Sequence, residues 1–181
     1  MRVAGEGLRS SGAAWQAAYR ATFPSVPPGR DDRDHFVAAA SLFYALFPLL
    51  SPTHRAFRIM EADVAPVKDL WLDSIVATME ELDCDGLWSS GSQPMGQTIL
   101  YDAPERLDFH INGNGAYVLG CEGFLDYLCR VQSFYYPEGV GAGDKEPAYD
   151  MALFRFRFQP ANYGYARKVA HRFRNDLTVW N

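Results

Sequence analysis

The sequence predicts a single α+β domain, with helices packed on one face of a small antiparallel sheet. Two observations carry that expectation. Apolar residues recur every three to four positions up to Gly86, and every second position after Gln97. The length of 181 residues also suits one domain. The division is a helical N-terminal part, about 10–86, and a sheet-containing part, about 97–181.

The first helix is expected over Ala13–Ala21, after Ser10 and Ser11 as caps, and a loop rich in Pro and Gly (PSVPPGR) follows. Asp31, Asp32 and Asp34 then place negative charge on the first turn of a second helix, where the helix dipole favours it. This helix is expected to run to Phe47 and to stop at Pro48. Its residues Phe36, Ala39, Ala40, Phe43, Leu46 and Phe47 mark it as the central buried helix. Residues 53–60 fit a strand or a helix equally well.

Val67, Leu70, Trp71, Ile75, Met79 and Leu82 form one helical stripe, with Gly86 as a C-terminal cap. SSGSQPMG, residues 89–96, reads as a loop. QTILYD and Arg106–Ile111 read as strands, the latter turning through Asn112-Gly113-Asn114-Gly115 into a partner strand at Ala116–Cys121. A helix from Phe124 to about Gln132 and a Gly-rich loop at 137–147 follow. MALFRFRF reads as a strand with Phe154, Phe156 and Phe158 on one face and Arg155 and Arg157 on the other. After Pro160 a last helix is expected, burying Ala166, Val169, Ala170, Phe173 and Leu177 and exposing Arg167, Lys168, His171, Arg172 and Arg174.

Composition narrows the function classes. Hydrophobic residues make up 48% of the chain, too many for a disordered one. The 12 Phe, 10 Tyr and 4 Trp can furnish a core, and any surplus suits a binding surface. The longest apolar stretch, Phe36–Leu50, is broken by Ser41 and Pro48 and falls short of the roughly 20 residues that span a bilayer. Three cysteines without CxxC spacing suit a reducing compartment, so the cytoplasm is the expected location. Charge is uneven. Residues 151–181 carry six basic groups and one acidic group, 6 − 1 = +5, whereas residues 1–150 carry 11 − 21 = −10. Such a split marks either a surface for a charged partner or a basic element docked onto an acidic body.

Four constellations could carry chemistry. Asp108 and His110 share a strand face, as do Arg155 and Arg157. If the strands are neighbours, the four would form an anion-binding or acid–base patch. A sheet with one face in water produces the same pattern without any function. Cys121, at a helix start, could pair with His110 as a nucleophile, although Glu122 opposes a thiolate. His110, Cys121, Cys129, Asp83 and Asp85 lack zinc or calcium spacing. NGNG lacks the following helix that a phosphate loop needs. No cofactor or metal is therefore expected.

The leading functional expectation is a non-catalytic protein-binding partner: an inhibitor, immunity-type factor or accessory subunit with an acidic, aromatic-rich surface. The binding residues expected are Asp108, His110, Arg155, Arg157, Arg167, Lys168 and Arg172. One alternative is a small enzyme or anionic-ligand binder using the His/Asp/Arg patch on an exposed sheet face. A third is nucleic-acid binding through the basic C-terminal helix, with Tyr163 and Tyr165 for stacking; the acidic remainder works against it.

Overall fold

The computed structural model describes residues 32–60, 65–92, 111, 113–142, 146–176 and 179–180. The helices expected at 13–21 and the strands expected at 97–102 and 106–110 lie outside these residues, with Asp108 and His110. Among the described residues five α-helices are built: α1 (Asp32–Leu50), α2 (Trp71–Glu80), α3 (Glu122–Tyr135), α4 (Tyr149–Phe158) and α5 (Tyr163–Val169). The strands are β1 (Ala56–Arg58), β2 (Ala65–Pro66), β3 (Ser89–Ser92), β4 (Gly115–Val118), β5 (Phe173–Asp176) and β6 (Val179–Trp180). The chain is thus α+β. Its larger sheet has the order β1-β4-β3-β5, and β2 pairs with β6 in a two-stranded ribbon.

The sheet is mixed rather than wholly antiparallel. β4 runs antiparallel to both β1 and β3, but β5 runs parallel to β3. A parallel neighbour requires a long crossover, and here α3, α4 and α5 lie in the chain between β4 and β5.

One cross-strand row explains how the helices attach. Phe57, Tyr117, Ser89 and Phe173 lie side by side across the four strands. The rings of this row meet α1 and α3. Phe43 of α1 stands 5.0 Å from Tyr117 edge-on, and Tyr127 of α3 is 5.0 Å from Phe173. Phe43 also stacks on Tyr149 of α4 at 4.3 Å, which ties three elements through one ring. Offset and edge-to-face rings contribute about 0.5–1.5 kcal/mol per pair beyond the area they bury. Phe43, Phe124, Tyr127 and Val131 are wholly buried.

The opposite face of the sheet is covered too. Ala116 and Val118 alternate with Tyr117 along β4, yet both are buried. α2 packs against β1 and β4, and Glu81, just past its end, pairs with Arg174 of β5. No residue of β3 or β4 faces water, so the wet sheet face expected from period two is not present on these strands.

Several expectations need correction. α1 does not stop at Pro48. Proline removes one N–H, but Ser51 still donates to the Phe47 carbonyl at 3.0 Å and His54 to that of Leu50 at 2.9 Å. Residues 53–60 supply β1. Leu70 is not on the buried stripe: it is exposed, with a left-handed φ of 54°, at the start of α2. α2 ends at Glu80, and Gly86 takes no part in its cap.

SSGS is a buried strand rather than a loop. Its glycine allows the closest approach in the sheet: a Cβ on Gly91 would lie 2.7 Å from the Asn114 carbonyl oxygen and 2.8 Å from the Gly115 Cα. MALFRFRF belongs to helix α4, not to a strand. The last helix is shorter than expected, ending at Val169; a 3-10 turn over Ala170–Arg172 leads into β5. Parallel pairing with β3 offers residues 173–176 backbone partners that a longer helix would forgo. No described helix is long and apolar enough to cross a membrane.

Candidate functional site

Of the residues expected to act together, Asp108 and His110 lie outside the described residues. Arg155 and Arg157 sit in the last turn of α4, and both are half-buried. Arg157 lies over two rings, 4.5 Å from the Phe173 centroid and 5.3 Å from that of Phe154. Burial pulls its pKa below the ordinary guanidinium value, and the ring faces compensate part of the lost hydration. Arg172 donates to the carbonyls of Gly86 at 2.9 Å and Cys84 at 3.1 Å, and lies over Trp88. Trp88 in turn donates to Cys84 and, through its backbone, to the Arg172 carbonyl at 2.8 Å. Arg172 therefore locks the α2–β3 loop to the start of β5. Arg167 and Lys168 remain exposed on α5.

The cysteine constellation is also rearranged. Cys121 caps the start of α3 but is buried, with its thiol 3.8 Å from the Cys84 carbonyl. Burial pushes the Cys84 thiol up to about 11, helped by its hydrogen bond with Cys121 and by the Asp83 and Asp85 carboxylates. Thiolate, the nucleophilic form, is thus disfavoured there at neutral pH. All three cysteines are free thiols, and Cys129 lies apart on the exposed side of α3. Among the described residues no group of three His, Cys, Asp or Glu side chains is arranged to hold a metal ion.

A different feature stands out: a groove of about 470 Å³, open to solvent, between α3, the end of α4 and the start of α5. Asp126, Cys129, Arg130, Ser133 and Phe134 supply one wall, and Phe156 and Asn162 the other. The groove exists because α3 buries Phe124, Tyr127, Leu128 and Val131, turning the remaining stripe outward. Arg130 donates to Asp126 at 2.8 Å, one turn away, and lies 4.7 Å over the Tyr165 ring. The Tyr165 hydroxyl donates to the same carboxylate at 3.1 Å.

These contacts set the electrostatics of the groove. The Arg130 hydrogen bond holds Asp126 below the ordinary carboxylate value, with Tyr165 adding to it. Arg130 is correspondingly raised by Asp126. Tyr165 is pushed up to about 12, first by burial and then by the same carboxylate. Arg130 and Tyr165 thus converge on the one Asp126 carboxylate.

On the groove wall the Phe134 ring is 46% exposed. Phe158, 65% exposed, packs on Phe154 on the side of α4 away from Phe156, and Tyr163 is 60% exposed at the start of α5. Sequence reasoning missed Phe134 because the helix was expected to end at about Gln132, whereas it runs to Tyr135. Phe158 was assigned to a buried strand face. The Asp126–Arg130 spacing was a legible signal, since residues four apart on a helix meet. The chain matches no known protein family, no curated protein and no solved structure.

Proposed function

We propose that this chain is a non-catalytic protein-binding partner, acting as an inhibitor, immunity-type factor or accessory subunit through the groove between α3, α4 and α5. The single observation that carries this reading is the exposed ring of Phe134 on the wall of that groove, next to the Arg130–Asp126–Tyr165 cluster. Leaving an aromatic side chain in water forgoes about 1.5–3 kcal/mol of burial. Aromatic and arginine side chains dominate the energetics of protein interfaces, and Arg130, stacked over Tyr165, lines the same groove as Phe134.

Two further features support the reading. The titratable groups of the groove neutralise one another, as suits recognition better than turnover. The three free thiols fit a reducing compartment, so the cytoplasm is the proposed location.

The test is quantitative affinity enrichment from the cells that produce the protein, comparing the natural chain with the variant Phe134→Asp. One discrete protein should fall at least ten-fold in the variant, while circular dichroism shows both chains folded. An identical enriched set for the two folded chains would refute the reading.

A further inference from the structure

We infer that Cys84 and Cys121 are an oxidisable pair, which a small-molecule disulfide such as oxidised glutathione closes into an internal bond fastening the α2–β3 loop to the start of α3. This inference is independent of the groove.

Geometry carries it. The Cys121 thiol lies 3.8 Å from the Cys84 carbonyl oxygen and is hydrogen-bonded to the Cys84 thiol. The two residues stand 37 positions apart in the chain, so only the fold brings them together. A disulfide forms without strain where the two backbones already stand close and need not move. Both backbones are held here. The Cys84 carbonyl accepts from Trp88 Nε1 at 3.0 Å and from Arg172 at 3.1 Å. On either side of it, the Asp83 N–H donates to the Leu87 carbonyl at 2.9 Å and the Asp85 N–H to the Asp83 carboxylate at 2.8 Å. Cys121 precedes the first turn of α3, and its carbonyl accepts from the Leu125 N–H at 2.9 Å. Closure is thus left to the two side chains.

Exposure sets the order of steps. Cys84 is exposed and Cys121 is buried, so the oxidant meets Cys84 first. The Cys84 thiolate attacks one sulfur of glutathione disulfide, whose S–S bond breaks; the departing glutathione thiolate takes up the proton that Cys84 lost. Cys121 then gives up its proton and attacks the Cys84 sulfur of the mixed disulfide. The second glutathione leaves as a thiol. Two protein thiols and one glutathione disulfide become one protein disulfide and two glutathione thiols.

The surroundings of Cys84 set the pace. Burial, the Cys121 thiol and the Asp83 and Asp85 carboxylates push its pKa up to about 11, so little thiolate exists at neutral pH and closure is slow. The same high value makes Cys84 a poor leaving group once the bond is made. The pair therefore suits sustained oxidation rather than rapid turnover. Cys129, exposed about two turns further along α3, is the internal reference.

The experiment incubates the folded full chain in glutathione buffers running from reduced to oxidised, then quenches with acid and alkylates the remaining thiols in urea. Peptide mapping by mass spectrometry follows. At the oxidised end a linked Cys84–Cys121 peptide should replace the two alkylated ones, while Cys129 forms no internal bond. The closed chain should melt about 5–10 °C above the reduced chain. In Cys121→Ser the reaction should stop at a glutathione adduct on Cys84. Cys84→Ser, at an exposed position, should show no internal bond, and it serves where the buried variant fails to fold.

A natural chain that stops at the Cys84 adduct, stays fully alkylated at the oxidised end, or links Cys84 to Cys129 would overturn the pairing. A closed chain that melts below the reduced one would overturn the fastening.

Discussion

The two ends of one stripe on α3 put the same kinds of residue to opposite uses. At the inward end, Phe124 and Tyr127 are wholly buried, and Phe124 meets Phe47, Trp88, Tyr117 and Phe173. At the outward end, two turns past Tyr127, Phe134 touches Tyr135 and Phe156 but leaves nearly half its surface in water. An inward ring is held by partners from α1, the sheet and α3 at once. An outward ring has partners on one side only, so its remaining face is available to another molecule. Aromatic content alone does not distinguish a core from an interface; the number of elements that converge on each ring does.

That contrast predicts unequal responses to substitution. Phe124→Ala should cost the most, about 3–5 kcal/mol, read as a lower midpoint in urea unfolding. A loss below about 1 kcal/mol would mean that the inward rings are not the stabilising core. Next, Gly91→Ala should cost about 1–3 kcal/mol, because the new Cβ would stand 2.5 Å from the Ile111 Cγ2 and under 3 Å from backbone of the neighbouring strand. Unchanged stability would show that β3 and β4 are less closely apposed.

The outward ring should behave differently. Phe134→Ala should shift folding stability by less than about 1 kcal/mol, while weakening partner binding at least several-fold. Equal damage to stability and binding would erase the contrast between the two ends of the stripe.

The smallest effect is a titration. Arg130 holds the Asp126 carboxylate below its ordinary pKa, so this ion pair favours the folded state above the unfolded carboxylate pKa. That contribution is lost as pH falls through the folded value. Arg130→Ala should raise the Asp126 midpoint measured by NMR. An unmoved midpoint would mean that the pair is not formed in solution.

How much of this was legible in the sequence varies from element to element. α1, α2 and α3 announce themselves through helical stripes such as Phe43–Phe47 and Tyr127–Val131, because each buries one side. β4 falls near the strand expected at 116–121, beginning at Gly115 and ending at Val118. β3 gave no signal: Ser89, Ser90, Gly91 and Ser92 carry no apolar side chain, and tertiary packing alone buries them. α4 was read as a strand because Phe and Arg alternate from Phe154 to Phe158. In the fold, Tyr149, Met151, Ala152, Leu153, Phe154 and Phe156 are all buried, and a helix buried on most sides displays no helical period.

The site was less legible than the fold for the same reason. Arg155 and Arg157 were placed together on a strand face that does not form. Arg167 and Lys168 were recognised as an exposed cationic pair. The groove itself is lined from α3, α4 and the turn before α5, and only their packing assembles it.

Carbene footprinting of the full chain, alone and with its captured partner, tests whether the groove beside Phe134 is the binding surface. Labelling should drop at Ser133 and Phe134 on complex formation and stay constant at Leu49 and Leu72, which are exposed elsewhere on α1 and α2. Protection at Leu49 or Leu72 with Phe134 still labelled would contradict the account.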